Sequence, residues 1–331
     1  MNILLTGACG YIGSHVADLL STNKGNKLFV VDNLSTGFRC AIPDSALFLN
    51  ADLADSKAVE NFVSENKIDA IMHFAGKISV PESIGHPDWY YECNTVNTYK
   101  LLVTAKNCGV KYFIFSSTAA VYSEINDKVK IAENFPKSPK SPYGASKLMS
   151  ERIISDICSA SDIKYGILRY FNVSGADPQL RLGQRNKSAQ HLIKMCCKVL
   201  TGELDELKIY GNDYNTSDGT GVRDYIHVSD LAQAHVDVLD YLTDSNNISN
   251  IFNVGYGRGF SVLEVISAME DVSGKKIPYK FVPRRTGDCA EVVSSNDKIL
   301  TLTRWRPRYN DIKKIANDSY QWELKMLAER K

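Results

Sequence analysis

The chain has 331 residues, of which 44% are hydrophobic and 23% charged, values that are ordinary for a globular protein with a large core. Its formal net charge is +1, so no long-range field attracts nucleic acid or an anionic membrane, and an anionic ligand must be held by a few placed arginines. No apolar run reaches about eighteen residues, so we expect no membrane span.

The cysteines and the N-terminus favour a cytoplasmic protein without a metal site. The 8 cysteines are scattered without Cys-x-x-Cys spacing, and the 6 histidines show no metal-ligand spacing. Reduced, mostly buried thiols are therefore expected. Residues 1–7 have no basic leader and only a short apolar run before a glycine, which predicts a strand and not a secretory signal.

The first predicted strand, 3–5, leads into a glycine turn, Thr6-Gly7-Ala8-Cys9-Gly10-Tyr11-Ile12-Gly13, and then into a helical pattern over 14–20. This is the context of a dinucleotide-binding turn, because its glycines let the backbone approach a pyrophosphate at the helix N-terminus. The residues predicted to bind the cofactor here are Gly7, Gly10, Tyr11, Ile12 and Gly13.

A second strand, 27–31, ends in Asp32, which lies 19 residues beyond Gly13. A carboxylate at this place can bind the adenosine ribose 2′-hydroxyl and would repel a 2′-phosphate, so the sequence favours NAD over NADP. Arg39 is the counter-argument, and we interpret it as a surface residue.

Strands and helices then alternate with short turns. Strands are predicted at 47–50, 69–74 and 111–115, with helical stretches at 56–66 and 88–107 between them. Such alternation predicts an α/β fold with a doubly wound, Rossmann-like parallel sheet whose ligands lie at the carboxyl ends of the strands. The residues that follow those ends are Asp52 and Leu53, Ala75 and Gly76, and Ser116 to Thr118.

A Tyr-x-x-x-Lys pair lies in the next helix. Ser141 and Pro142 look like its N-cap and first residue, which places Tyr143 in the first turn and Lys147 one turn on. With 17 tyrosines about one such match is expected by chance, and Tyr309 with Lys313 is a second one. That second pair follows Trp305-Arg306-Pro307 at the predicted start of the last helix, where a surface or packing role is expected.

Beyond a strand at 163–168 the regular alternation weakens. We expect a NAD-binding domain over 1–175, completed by a return segment near 226–255, and a smaller mixed α/β C-terminal substrate lobe over 176–331. The further predicted elements are a helix at 188–200, a strand at 208–210, a long polar loop at 211–228, a helix at 230–242, a strand at 251–254 and a helix at 262–272.

Five segments together resemble the UDP-glucose (UDP-galactose) 4-epimerases of the extended short-chain dehydrogenase/reductase family, over nearly the whole chain. They are the glycine turn, 116–118 with Tyr143 and Lys147, 169–176, 211–228 and 284–288. The segment 211–228 is the most specific of them.

The resemblance implies that a tightly bound NAD takes hydride from C4 of a UDP-hexose and returns it to the other face of the 4-keto sugar, so that NAD is regenerated each cycle. Tyr143 would be the base, Thr118 the hydroxyl between Tyr143 and O4, and Lys147 a charge that favours the phenolate and a ligand of the nicotinamide ribose. The remaining implied cofactor positions are Asp32, Asn33, Asp52, Leu53, Phe74, Ala75, Gly76, Asn94 and Phe171.

The resemblance also implies a UDP-hexose site. Besides Thr118 and Tyr143, its implied positions are Asn172, His191, Leu192, Tyr210, Arg223, Arg285, Asp288 and Val292. Val292 aligns with a wall residue that is bulky in glucose-only members and small in members that accept N-acetyl sugars, so UDP-GlcNAc and UDP-GalNAc stay open as substrates. A homodimer that pairs the helices 88–107 and 142–160 is implied as well.

Three alternatives stay open. A nucleotide-sugar 4,6-dehydratase shares the fold, NAD and the Tyr/Lys pair, but dehydration needs an acid/base carboxyl pair after the threonine, where this chain has Ala119 and Ala120. A UDP-uronic acid 4-epimerase would differ mainly in a cation for the sugar carboxylate. A catalytically silent NAD-binding sensor is the alternative that is not an enzyme.

Overall fold

The computed structural model describes residues 1–123, 129–285 and 288–329. Its strands are β1 (Asn2–Thr6), β2 (Lys27–Asp32), β3 (Leu47–Asn50), β4 (Ala70–His73), β5 (Tyr112–Thr118), β6 (Lys164–Tyr170), β7 (Asn172–Ser174), β8 (Leu207–Tyr210), β9 (Val222–His227), β10 (Asn250–Val254), β11 (Gly259–Ser261), β12 (Tyr279–Val282) and β13 (Glu291–Val292).

The helices alternate with these strands in the first half of the chain. They are α1 (Tyr11–Ser21), α2 (Ser56–Glu65), α3 (Val80–Gly85), α4 (Pro87–Tyr90), α5 (Asn97–Asn107), α6 (Pro142–Ser159), α7 (Leu192–Leu200), α8 (Val228–Thr243), α9 (Val262–Ser273), α10 (Asp297–Leu302) and α11 (Ile312–Ala328). A π-helical turn, Tyr91–Val96, joins α4 to α5.

Seven strands form one parallel sheet in the order β10-β6-β5-β4-β1-β2-β3. Side chains of successive β1 residues enter different cores: Ile3 and Leu5 pack with α1 and α8 on one face, and Leu4 packs with α2, α5 and α6 on the other. Helices on both faces confirm the predicted doubly wound α/β fold.

The smaller part of the molecule carries a four-stranded sheet, in which β11, β13 and β7 all pair with β9, and a two-stranded sheet of β8 with β12. The capping box of Ser261 with Glu264 starts α9, which packs against α7 and α11. No helix of the described ranges is long and apolar enough to cross a membrane.

Several predicted boundaries were wrong for local reasons. The stretch predicted as one helix over 88–107 is helical throughout, but it consists of α4, a π-helical turn and α5 in succession, so its hydrogen-bond pattern differs from the prediction and its extent does not. The helix predicted over 188–200 begins at Leu192, with His191 as its N-cap. The predicted loop 211–228 is strand β9 from Val222 to His227, and Ser116 to Thr118 lie within β5 and not after it.

Candidate active site

The glycine turn leaves a backbone cradle at the start of α1. Gly7 has φ 71°, and a Cβ there would lie 2.5 Å from the Ala75 nitrogen; a Cβ on Gly13 would lie 2.7 Å from the Ala8 Cα. Gly10 is the N-cap and has no side chain to accept a hydrogen bond. Within the described part of the chain, the first N–H groups of α1, those of Tyr11 and Ile12, therefore have no capping side chain. The turn therefore fits a pyrophosphate, which needs close backbone approach and free N–H groups.

Asp32 lies at the end of β2 against this turn. Its Oδ2 accepts from the Cys9 N–H at 2.9 Å and its Oδ1 from the Leu34 N–H at 2.8 Å, so the carboxylate is fixed. The ends of β2 and β3 are also joined, because Asn33 Nδ2 donates to Asp52 Oδ2 at 2.7 Å. These three polar side chains thus meet at the edge where the sequence placed the adenosine ribose.

The ends of β2, β3 and β4 bring further predicted cofactor residues to the same edge. Leu53 is buried in the core under α2, and the Phe74 ring packs 4.9 Å from the His235 ring. Arg39 lies over the Phe48 ring, with 5.1 Å between its Cζ and the ring centre.

Asn94 lies in the π-helical turn and is almost fully buried. Its amide accepts from the Lys77 N–H at 2.8 Å and donates to the Lys77 carbonyl at 3.0 Å and to Ser146 Oγ at 3.1 Å. A Cβ on Gly76 would lie 2.7 Å from Asn94 Oδ1, so this position requires glycine. The amide therefore holds the 76–77 loop against α6, a shaping role that the sequence did not indicate; π turns are frequent at functional sites.

Tyr143, Lys147 and Thr118 are together at the end of β5. Ser141 caps α6 by accepting from the Gly144 N–H, and this sets Tyr143 and Lys147 one turn apart on a buried face. Tyr143 is 8% exposed and shares a side-chain hydrogen bond with Thr118. The Lys147 Nζ, on a residue 3% exposed, donates to the Ser116 carbonyl at 3.0 Å.

Burial dominates the protonation of both groups. It raises the pKa of Tyr143, while the Thr118 hydrogen bond lowers it. It also lowers the pKa of Lys147 to about 8, against the Glu151 carboxylate, which raises it. A phenolate at Tyr143 therefore needs nearby positive charge, and Lys147 is placed to supply part of it.

The predicted substrate residues form two charged contacts in the smaller part. Arg223 Nη2 lies 3.6 Å from Asp288 Oδ1, and the Arg285 guanidinium lies 3.8 Å from the centre of the Tyr210 ring. Thr286 and Gly287 of the predicted 284–288 segment lie outside the described residues.

Val292 connects these residues to the nucleotide half. It pairs in register with Arg223 and packs in one apolar cluster with Phe171, Tyr122 and Leu148 of α6. Asn172, the next residue after Phe171, pairs with Tyr225 of β9. One predicted substrate residue, Val292, and one predicted cofactor residue, Phe171, thus share an apolar cluster.

His191 and Leu192 begin α7. His191 Nδ1 accepts from the Lys194 N–H at 3.4 Å, and its Nε2 is buried with no partner among the described residues. Burial, with Lys194 and Lys198, lowers the pKa of His191 to about 4. Leu192 packs against the main core, so only the His191 ring offers an unused polar atom here.

A buried acid that was not predicted from the sequence lies beneath the Tyr143 and Lys147 pair. Glu151 lies four residues after Lys147 and pairs with Arg169 of β6, with 2.5 Å between Nη2 and Oε2. The extended spacing Tyr-x-x-x-Lys-x-x-x-Glu is a helical repeat and could have indicated it.

A doubly wound sheet, a glycine turn at a strand end and a buried Tyr/Lys pair beside a threonine define a dinucleotide-dependent enzyme of the short-chain dehydrogenase type. The chain belongs to the NAD dependent epimerase/dehydratase family, whose model matches residues 3–255.

Named relatives are similar over nearly the full length. A UDP-glucose 4-epimerase of Azospirillum brasilense is 44% identical, with 97% of this chain and 91% of that protein covered. The structure of the UDP-Glc/GlcNAc 4-epimerase of Campylobacter jejuni is 45% identical with a TM-score of 0.86, over 98% of this chain and 99% of that one. A Bifidobacterium longum UDP-glucose 4-epimerase in complex with NAD⁺ and UDP is 38% identical with a TM-score of 0.91, over 98% of each chain.

Proposed function

We propose that this protein is a UDP-glucose 4-epimerase, an isomerase that interconverts UDP-glucose and UDP-galactose with a tightly bound NAD. The observation that carries the proposal is the buried Tyr143, Thr118 and Lys147 arrangement with Ala119 and Ala120 behind it. A base without an adjoining carboxyl pair suits oxidation and reduction at C4 and does not suit dehydration. The family and the named relatives support the same activity.

The residues present fit NAD. The glycine turn offers the cradle that the pyrophosphate needs, and Asp32 offers a fixed carboxylate beside it. At the other end the buried Lys147 ammonium donates to one carbonyl, and an ammonium has three donors, which leaves donors for ribose hydroxyls. When bound, NAD supplies reversible acceptance of a hydride from C4, and its oxidised ring adds positive charge beside Tyr143.

The residues that would hold NAD are those predicted from the sequence, and we propose them as a set. They are Gly7, Gly10, Tyr11, Ile12, Gly13, Asp32, Asn33, Asp52, Leu53, Phe74, Ala75, Gly76, Asn94, Lys147 and Phe171. Asn94 would act chiefly by holding the 76–77 loop, because the described residues already engage its amide.

The chain's own part in the chemistry is proton transfer and orientation. Thr118 would pass the O4 proton of the sugar to Tyr143, and Tyr143 would return it after the keto sugar has turned over. Lowering the pKa of the Tyr143 phenol from about 10 to about 7 requires that the phenolate be stabilised by ~4 kcal/mol. Since burial works against this, the Lys147 charge and the cofactor ring must outweigh it.

The substrate would be held by its nucleotide end, because the sugar must turn while the diphosphate stays fixed. Arg223 and Arg285 carry guanidinium groups suited to phosphate oxygens. Asp288, now 3.6 Å from Arg223, would bind the uridine ribose, and Tyr210 would line the uracil slot. Asn172, His191 and Leu192 complete the proposed set.

A further question is which sugar the site accepts. Val292 forms a small wall beside Phe171 and Tyr122, which favours acceptance of an N-acetyl group. Relatives at similar identity include the Campylobacter jejuni UDP-Glc/GlcNAc 4-epimerase and a UDP-arabinose 4-epimerase of Arabidopsis thaliana, 41% identical over 97% of this chain. UDP-N-acetylglucosamine is therefore the second candidate substrate.

One preparation tests the function. The purified protein is analysed for bound NAD and assayed with UDP-galactose, UDP-N-acetylglucosamine, a UDP-pentose and a UDP-uronic acid. We expect retained NAD, turnover of UDP-galactose and turnover of the N-acetyl sugar. A 4,6-dehydrated product, turnover of the uronic acid alone, or bound NAD without any turnover would replace the proposal by one of the alternatives.

We further propose a homodimer in a cytoplasmic setting. Three large apolar side chains on the segment that ends in α5 and on α6 are about half exposed: Trp89 at 46%, Tyr99 at 49% and Met149 at 49%. Burial of such side chains between two copies would stabilise a dimer, and light scattering of the same preparation measures its mass. All 8 cysteines are free, which suits a reducing compartment.

A further inference from the structure

Three residues on one face of α6 grip three successive residues of β5. Tyr143 engages Thr118, Lys147 Nζ donates to the Ser116 carbonyl, and Glu151 accepts from Ser117 Oγ at 2.5 Å. The proposed mechanism uses the first two contacts and leaves the third unexplained. Since the spacing is four residues each time, Glu151 lies directly one turn beyond Lys147.

The Glu151 carboxylate is fixed from two strands. Arg169 donates through Nε to Oε1 at 2.9 Å and through Nη2 to Oε2 at 2.5 Å, and Ser117 shares Oε1. Ser117 and Arg169 are register partners on β5 and β6. Glu151 is 4% and Arg169 1% exposed, so the pair is screened little by water.

Arg169 is also held on its far side. Its Nη1 donates to the Tyr122 hydroxyl at 3.0 Å and to the Glu133 carbonyl at 3.1 Å, and the Tyr122 hydroxyl donates to Asn253 Oδ1 at 2.6 Å. The guanidinium is thus a fixed positive charge whose position does not follow the substrate.

We propose that Glu151 is a positioning residue that holds Lys147 in its charged state and sets the field in which Tyr143 gains and loses its proton, with Arg169 as its fixed counter-charge. This inference rests on the proposed function. A buried ion pair is an expensive way to stabilise a fold, and apolar replacements are often as stable. The position of Glu151, one turn from Lys147, instead lets its carboxylate act on the Lys147 charge.

Among the described residues, Glu151 is the negative charge that acts on Lys147. Burial lowers the pKa of His73 to about 3 and that of His235 to about 4, so both are neutral near pH 7. The Glu151 carboxylate is the charged group that opposes the loss of the Lys147 proton. The titratable groups around the pair are Tyr90, Tyr170, His73, His235, Arg169 and, beyond Arg169, Tyr122 and Glu133.

The test is the pH profile of kcat for two variants. Glu151→Gln removes the negative charge, so the phenolate is favoured and the Lys147 proton is lost more easily. Both limbs should therefore move to lower pH by on the order of one pH unit. Arg169→Lys keeps the charge but breaks the bidentate contact, so it should lower stability and leave the limbs in place. If Glu151 only stabilised the fold, both variants would be less stable and neither pH profile would move.

A second readout does not depend on turnover. The phenolate absorbance of Tyr143, taken as the difference from Tyr143→Phe across pH, should show the same shift in Glu151→Gln. If the wild type fails to turn over any UDP-sugar, the proposed function fails while this titration still tests the inference. An unchanged titration in Glu151→Gln overturns the inference even if the enzyme is active.

The matched control is Asp271→Asn, which breaks the exposed pair with Lys313 and should keep the wild-type profile. If Glu151→Gln does not fold, the net-neutral Glu151→Met/Arg169→Met variant replaces it. Both limbs of the pH profile of this double variant should still move to lower pH, by less than in Glu151→Gln. The reason is that the Glu151 carboxylate, one turn along α6, lies nearer to Lys147 than the Arg169 guanidinium does. Limbs at the wild-type pH in that variant would reject the inference.

Discussion

The two Tyr-x-x-x-Lys segments share a spacing and differ in their surroundings. Tyr143 and Lys147 lie on one buried helical face beside Thr118. Tyr309 lies before α11, not at its start as predicted, since Asp311 is the N-cap. The pair therefore does not form a helical turn.

The second pair is also occupied by other contacts. The Tyr309 ring stacks 4.5 Å from the His227 ring, and its N–H donates to Asp230 Oδ2 at 2.8 Å. Lys313, 62% exposed, pairs with Asp271 at 2.8 Å. The Tyr-x-x-x-Lys spacing indicates a catalytic pair only where the backbone forms a helical turn and where both side chains are buried and not occupied by other ionic contacts.

The largest expected effect separates the two tyrosines. Tyr143→Phe should lower the kcat for UDP-galactose by ~10²–10⁴-fold, because it removes the base and leaves the ring in place. Tyr309→Phe should stay within about twofold, since the ring stacking on His227 survives. The measurement is a coupled assay with NAD content and the melting temperature as folding controls. Activity of Tyr143→Phe near the wild-type level would disprove the assigned base.

Substitution of the two lysines should change kcat by less than substitution of the two tyrosines. Lys147→Met removes a buried charge and the bond to the Ser116 carbonyl, so kcat should fall on the order of 10²-fold. Loss of positive charge raises the pKa of Tyr143, and the acid limb of the kcat profile should move to higher pH.

Lys313→Met serves as the matched control. It loses only an exposed pair with Asp271, so the melting temperature should stay close to that of the wild type and kcat should be unaffected. A Lys147→Met variant whose acid limb stays in place would show that Lys147 acts only as a structural ligand.

Local patterns allowed much of this site to be predicted. The glycine turn, Asp32 and the capped start of α6 are set by residues close together in the chain, and the structure has them as predicted. The alternation of strands and helices likewise gave the parallel sheet, because each βα unit carries its own periodicity.

Contacts between distant segments could not be predicted in this way. The Asn94 clamp depends on a π turn that brings the amide to Lys77 and Ser146, and no periodicity marks such a turn. The Glu151 and Arg169 pair depends on the register of β5 with β6. His191 as a helix cap follows from where α7 begins, which the apolar pattern set four residues too early.

The smallest expected effect concerns the buried histidines of the Lys147 region. His73 and His235 lie beside the Lys147 region, and burial lowers their pKa values to about 3 and about 4. In the unfolded chain, a histidine ring takes up its proton near pH 6.5. The stability that these neutral rings represent is therefore complete above pH 6.5 and is lost as the pH falls toward 4, by up to ~1.4 kcal/mol per pH unit for each.

His235→Gln tests this pH dependence of stability. The variant removes one proton-binding site and keeps a polar group near Ser116 Oγ, 3.0 Å from His235 Nε2 in the wild type. Urea unfolding between pH 7 and pH 4.5 should show a slope reduced by about one proton. If His235→Gln keeps the wild-type slope, the ring is not held neutral by its burial, and the Lys147 region then contains a positive charge that its chemistry must include.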